Sequence, residues 1–240
     1  MNRQNFLKLM GVTAGTIAIA PFIGPIKSVN ALAQDNNKSE KFFNIDKQEW
    51  IIRWWSWMSA FPKDSNPIFD KTGELIQKSQ PKNEPVFFLA GGYFEDNKDI
   101  FFRDVNIPKG KGVFFPVICS EWSYLEYPQA KTTLELKTAT QYDIDQAYDI
   151  EATLNGKPLP MERITTNPFY FYIQKDDFAE HYEDMKMSSG ITQAVSDGYW
   201  VFIEQLEGNN NKIHFKGSNI DIRGVKYSNE VTYNIHAHVV

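Results

Sequence analysis

A single cysteine, Cys119, leaves the chain no way to form an internal disulfide, so the fold has to rest on an apolar core. Long apolar runs are missing too. The best candidate, Leu9 to Ile23, is broken by Pro21 and followed by Gly24, Pro25 and Lys27, short of the roughly 20 residues a membrane-spanning helix needs. Positive charge is scarce: the formal net charge is −5, and the first 33 residues hold three cations (Arg3, Lys8, Lys27) and no acid, which puts the remainder at −8. Such a body repels phosphate backbones and anionic lipid, which excludes nucleic acid and acidic membrane surfaces as partners.

Several catalytic signatures are absent as well. No serine stands in a GxSxG setting, and Lys109-Gly110-Lys111-Gly112 lacks the spacing of a phosphate loop and reads as a turn. Asp143, Asp145 and Asp149 suggest calcium, but Ala147 and Tyr148 occupy positions where an EF-hand loop needs a ligand and a glycine. Cys119, at the end of an apolar run, reads as a small core residue rather than a nucleophile.

What the chain does have is aromatic mass. At 240 residues, 42% hydrophobic and 15% aromatic, it is long enough for one large domain with a real core. Its N-terminus carries an export pattern: Arg3 and Lys8 precede the apolar stretch, and Ala31-Leu32-Ala33 is a small-x-small cleavage site before Gln34. Asn2-Arg3-Gln4-Asn5-Phe6-Leu7-Lys8 resembles a twin-arginine signal, except that Gln4 replaces the second arginine. The expectation is a signal peptide over 1–33, taking the chain to the periplasm or exterior by a Tat-like or Sec route. No transmembrane anchor is expected after cleavage. Residues 34–41 read as a polar leader and 42–240 as a single β-sandwich domain.

The organising stretch is Glu49 to Gly73. Four of the six tryptophans fall between Trp50 and Trp57, and helical spacing puts Trp50, Trp54, Trp57 and Phe61 on one face. Asp46 is placed to cap this helix, and Phe61-Pro62 ends it. Trp54 and Trp55 are adjacent, so one surface cannot bury every indole, and Trp55 is the one expected at a groove. Strand signals follow from Pro85: PVFFLA, DIFFRDV and GVFFPVIC, the last with Pro116 marking an edge or a bulge. Helix is weakly signalled from Thr138 to Tyr148 and again over Asp176 to Ser189. Asn155-Gly156 predicts a type I′ hairpin turn. Phe169–Ile173, Tyr199–Leu206, Lys212–Lys216 and Glu230–Val240 read as further strands, the last alternating cleanly. Short strands with hairpin turns and no βαβ rhythm predict a mainly β protein, an antiparallel β-sandwich of jelly-roll type with a Trp-rich N-terminal helix and one or two short helices.

Trp54-Trp55-x-Trp57, Asn66-Pro67 and Asp70-x-Thr72-Gly73 are followed by Phe88-Leu89-Ala90-Gly91, Pro108-x-Gly110-Lys111 and Phe114-Phe115-Pro116-Val117, then by Asp197-Gly198-Tyr199-Trp200 and Val231-Thr232-Tyr233. Together these resemble a family of exported bacterial proteins of unassigned function. The resemblance implies a secreted, mostly β domain and lends no catalytic residue.

Three sets of residues carry the chemistry to be tested. His236 and His238 leave the same face of a strand, and His214 lies on the polar face of Lys212–Lys216; converging, they would make the three-imidazole set of an open zinc or other divalent-metal site. The bland alternative, a polar strand face that happens to carry histidines, weighs more, and no cofactor is expected. Glu121 and Glu126 flank Trp122 and Tyr124 just after a strand, where a cleft acid beside aromatics can act on a glycoside. Trp55, Trp122 and Tyr124 are the candidates for stacking on a sugar. The expected function is an exported binding or cell-envelope-associated module whose partner is a carbohydrate or an envelope protein; a metal-assisted or carboxylate-dependent secreted hydrolase is the alternative.

Overall fold

The structure is a computed structural model that describes residues 40–92, 100–174 and 189–238. The expected signal peptide, the leader as far as Ser39, the second expected helix apart from Ser189, and the last two residues lie outside the described residues. The chain divides into Met1–Glu40 and Lys41–Val240. No helix among the described residues is long and apolar enough to cross a membrane.

The second unit opens with a tight hairpin, β1 (Lys41–Phe42) and β2 (Ile45–Asp46), whose turn holds Phe43 and Asn44 at positive φ. Helix α1 (Lys47–Met58) follows at once, capped as expected by Asp46, which accepts from Gln48 N–H at 2.7 Å. One expectation needs correction here: all four indoles of α1 are buried, Trp55 included. Each ring finds its own acceptor on a different part of the chain. Trp50 Nε1 donates to Phe42 O at 2.7 Å, Trp54 to Leu89 O at 2.9 Å, Trp55 to Ser196 Oγ at 2.8 Å and Trp57 to Ser79 O at 2.9 Å. A paired N–H removes the penalty of burying an indole, so one helix can be enclosed on several sides rather than laid on a single surface.

Two capping side chains shape the loop after α1. Asn66 Oδ1 accepts from Ile68 N–H at 3.0 Å, while its Nδ2 donates to Met58 O at 2.8 Å. The Asp70 carboxylate accepts from the N–H groups of Thr72, Gly73 and Ile76, all at 2.9 Å, and so anchors the start of α2 (Glu74–Ser79). Burial pushes the Asp70 carboxyl up, but these three donors and the charge of Arg103 outweigh it and hold it below the usual range. Gly73 turns this corner at φ +102°, where a Cβ would stand 2.3 Å from Asp104 O. Gly73→Ala is therefore expected to lower stability by about 3 kcal/mol or more. The check is the midpoint of urea unfolding; a wild-type midpoint would show that the turn relaxes without cost.

The strands form two five-stranded sheets. One runs β3 (Val86–Phe88), β5 (Gly112–Ser123), β10 (Gly190–Ile203), with β8 (Glu162–Arg163) and β9 (Phe169–Ile173) end to end on the far side of β10. The other runs β4 (Phe101–Pro108), β12 (Lys226–His238), β11 (Asn210–Ile220), β6 (Tyr148–Leu154), β7 (Lys157–Pro158). The protein is mainly β, as expected, but its sheets are mixed rather than purely antiparallel. β3 lies parallel to β5, and β4 lies parallel to β12. The turn at Gly110 carries the chain from β4 in one sheet into β5 in the other instead of folding it back as a hairpin.

Other local expectations hold. Asn155 and Gly156 both have positive φ and join β6 to β7, as a type I′ turn requires. The β5–β10 register shifts between Tyr199 and Trp200, opposite Pro116, so the strand proline does mark a bulge. Helix α3 (Thr133–Asp145) starts earlier than its apolar pattern suggests. Its start is fixed by a capping box in which Thr132 and Glu135 satisfy each other's backbone N–H groups. The two sheets meet across a shared core: Phe115 of β5 stacks on Phe215 of β11 with ring centroids 4.7 Å apart.

Candidate binding cleft

The inward face of β11 carries Ile213, Phe215, Gly217 and Asn219, and that of β12 carries Asn229, Val231, Tyr233 and Ile235. Their register pairs Gly217 with Asn229 and Asn219 with Tyr227. At this end the core-facing positions turn from apolar to polar. There a cleft of about 110 Å³ opens, walled by Trp54 and Trp55 of α1, residues 116–122 of β5, Asp143 of α3 and the turn that joins β11 to β12.

Asp143 is the most constrained acid of the cleft. Its Oδ2 accepts from Ser120 Oγ at 2.6 Å and Trp122 Nε1 at 2.7 Å, and its Oδ1 accepts from Ile222 N–H at 2.8 Å. Burial is the dominant influence and, with Asp221 nearby, pushes the carboxyl up to about 7 against the pull of those three donors. Asp221 shapes the β11–β12 turn by accepting from the N–H groups of Arg223 (2.8 Å) and Val225 (2.9 Å). It also binds the Arg223 guanidinium through Nε at 2.7 Å and through Nη2. That guanidinium lies over the Trp122 ring, 5.1 Å from its centroid. Glu126 Oε2 accepts from Ser123 Oγ at 2.7 Å.

Two buried amide oxygens in the cleft wall, Asn219 Oδ1 and Asn229 Oδ1, have no hydrogen-bond partner among the described residues. Leaving such a group dry costs about 1–3 kcal/mol, so an unpaired pair in one wall marks a place where something else supplies the donors.

Of the residues singled out by sequence, Glu121, Glu126, Trp122 and Trp55 all line this one cleft. Trp55 reaches it from a buried position rather than from an exposed groove. Tyr124 does not line the cleft; it is half-buried beside β10, its N–H donating to Gln193 O at 3.2 Å. Cys119 sits in the wall, and burial, with the Glu121 charge adding, pushes its thiol well up, the reverse of what a nucleophile needs. The histidines do share a face on neighbouring strands, but their register keeps them apart. His214 pairs with Thr232, four positions from His236, or roughly 13 Å at about 3.3 Å per residue. His214 Nδ1 is 3.0 Å from Thr232 Oγ1 and His236 Nδ1 is 3.0 Å from Asn210 Oδ1. Among the described residues no group of three or more His, Cys, Asp or Glu is placed to hold a metal ion.

Asp143, Asp221, Arg223, Asn219 and Asn229 were not singled out for this cleft. Asn229 did carry a signal, since it continues the inward parity of Val231, Tyr233 and Ile235 with a polar side chain. Asp143 carried none, because only the packing of α3 against β5 and β10 brings it here.

No protein-family profile matches the sequence, and no curated protein matches it. Among solved structures, a chain from "Structure of PbICP-C in complex with falcipain-2" aligns at 9% identity over 63% of this chain and 98% of that one, with a TM-score of 0.24. A likeness at that level carries no argument about fold or function.

Proposed function

We propose that this protein is an exported binding module of the cell envelope and that the cleft between α1, β5 and the β11–β12 turn takes a carbohydrate-sized ligand. The observation that carries the reading is the pair of buried, unpartnered amide oxygens in a cleft walled by Trp54, Trp55 and Trp122. Aromatic faces supply the apolar contact that sugar rings use, and amide and carboxylate oxygens accept from their hydroxyls. The two sheets with their shared core fit a jelly-roll-like sandwich, an architecture that hosts many such modules. Both oxygens of Asp143, the acid whose titration is displaced toward neutrality, are already engaged by Ser120, Trp122 and Ile222, so that carboxyl serves the cleft as structure. The hydrolase alternative rests on Glu121 and Glu126, which line the same cleft.

The test is titration of the mature protein with a panel of mono- and disaccharides, followed by tryptophan fluorescence. A saturable change in emission is expected, with Asn219→Ala weakening the best sugar about tenfold, the equivalent of about 1.4 kcal/mol for one lost acceptor. Unchanged emission at saturating concentrations of every sugar would remove the carbohydrate reading.

A further inference from the structure

Resting on the binding reading, we infer that the cleft reads a vicinal diol, two hydroxyls on adjacent ring carbons, and that Asn219 and Asn229 are the residues that read it. The two amides differ in how much of each is committed. Asn229 Nδ2 donates to Val117 O at 3.1 Å and reaches Gly217 O at 3.5 Å, which fixes the amide plane and leaves the oxygen as its spare group. Asn219 has neither end committed: its buried Oδ1 has no partner, and no described residue accepts from its Nδ2. Its planar amide therefore presents an acceptor and a donor side by side along one edge. A Cβ at Gly91 would stand 3.2 Å from Asn229 Oδ1, so glycine at that position leaves the oxygen uncovered.

The spare capacity of this wall is two acceptor oxygens and one NH₂ group. The β11–β12 register pairs Asn219 with Tyr227 and Gly217 with Asn229. The two asparagines are thus diagonal neighbours on one face, with Cβ atoms roughly 7 Å apart, a gap that the edge of one ring spans. A vicinal diol closes the count. One hydroxyl gives its proton to Asn219 Oδ1; its neighbour accepts from Asn219 Nδ2 and gives its own proton to Asn229 Oδ1. A secondary amide such as an acetamido group brings a single N–H and leaves one of the two oxygens dry, which is costly in a buried wall. A primary carboxamide has protons for both oxygens and none to spare. The cleft asks for more: Glu126 uses Oε2 on Ser123 Oγ, and no described residue donates to its Oε1, an acceptor that suits a ring with further hydroxyls.

The experiment follows the Asn219 side-chain NH₂ signal in proton–nitrogen correlation spectra of the mature protein, assigned by its loss in Asn219→Leu. The probes are the methyl glycosides of glucose, mannose and galactose, trans-cyclohexane-1,2-diol, cis-cyclohexane-1,3-diol and nicotinamide. At least one glycoside is expected to move the signal saturably and to compete with the 1,2-diol, which is expected to bind at least tenfold tighter than the 1,3-diol. Asn219→Leu is expected to remove the preference between the two diols, a ratio taken within one variant and so independent of its stability. A glycoside that binds with the Asn219 signal unmoved, or equal binding of the two diols by wild type, would overturn the diol inference while leaving the sugar cleft in place. Saturable binding of the 1,2-diol in preference to the 1,3-diol, with no glycoside bound, would support the diol inference while the carbohydrate reading fails. Nicotinamide moving the signal when neither diol does, or no response to any probe, would overturn the inference.

Discussion

Replacing Arg103 by methionine is expected to cost about 3–5 kcal/mol, the range for removing one member of a buried charged network, and to lower the melting temperature by about 10 °C. Arg103 is fully buried on β4. Its Nε donates to Asp70 O at 2.6 Å, and its Nη1 to Ala90 O at 2.8 Å, Gly91 O at 3.0 Å and the Tyr233 hydroxyl at 2.6 Å. Its Nη2 reaches Ile68 O at 3.3 Å, and its guanidinium lies 4.8 Å from the Phe101 ring centroid. Burial pushes the Tyr233 phenol up against the opposing charge of Arg103, so it keeps its proton and donates to Ala90 O at 2.6 Å. One side chain thus ties together the Ile68–Asp70 loop, the Ala90-Gly91 segment and strand β12. Methionine fills much of the volume but takes the Arg103 donors from the carbonyls of Asp70, Gly91 and Ile68, while Ala90 O keeps the Tyr233 hydroxyl. Because Ile68 and Gly91 also line the cleft, ligand affinity is expected to fall with stability. Tyr233→Phe, which removes one link and leaves the cation, is expected to cost about 1–2 kcal/mol. Urea unfolding of the two variants checks the order; equal stability of wild type and Arg103→Met would show that the loops hold without their anchor.

The second large effect is a dependence of stability on pH that runs opposite to ordinary acid denaturation. Asp143 has a folded-state value of about 7 against an ordinary value of 3.8. Between those limits the folded protein keeps the proton that the unfolded chain has lost. The contribution of this group is therefore fully present below pH 3.8, falls as pH rises through the window, and is gone above about pH 7. Across the whole window the loss amounts to about 4 kcal/mol, at about 1.4 kcal/mol per unit. Asp70, held low by its three N–H donors, pulls the other way at acid pH, so the Asp143 contribution is read as a difference. Asp143→Asn carries no titrating proton. Its oxygen can keep Ser120 and Trp122, while its NH₂ faces Ile222 N–H at a fixed penalty. The stability of wild type minus that of Asp143→Asn is expected to shrink steadily from pH 4.5 to pH 7.5 in denaturant titrations. Parallel curves would mean that the carboxyl is ionised throughout.

Much of the architecture could be read from local pattern. The clean alternation of β12, the Asn155-Gly156 turn, the Asp46 cap and the proline bulge at Pro116 are each set by neighbours within a few residues, and the structure places them as expected. Glu121 and Trp122 fell within reach of sequence reasoning because acids and aromatics crowd the end of a buried strand. Trp55 does line the cleft, but the expectation that one surface could not bury it was wrong, because counting faces on a helix takes no account of Ser196, 141 positions away, which accepts its N–H. The histidines were left open for a related reason: strand parity fixes which face a ring leaves, whereas register fixes where along the strand it sits, and only the pairing of His214 with Thr232 supplied that.

By itself the sequence determined the class of the chain, its acidic body and the places where backbone turns, since those follow from composition and from interactions spanning a handful of residues. Tertiary structure alone decided the parallel edges of the two sheets, the burial of every α1 indole and the gathering of Asp143, Asn219 and Asn229 around one cleft. Those depend on which distant segments lie side by side, and a donor or acceptor is spent or spare only once its neighbours are in place.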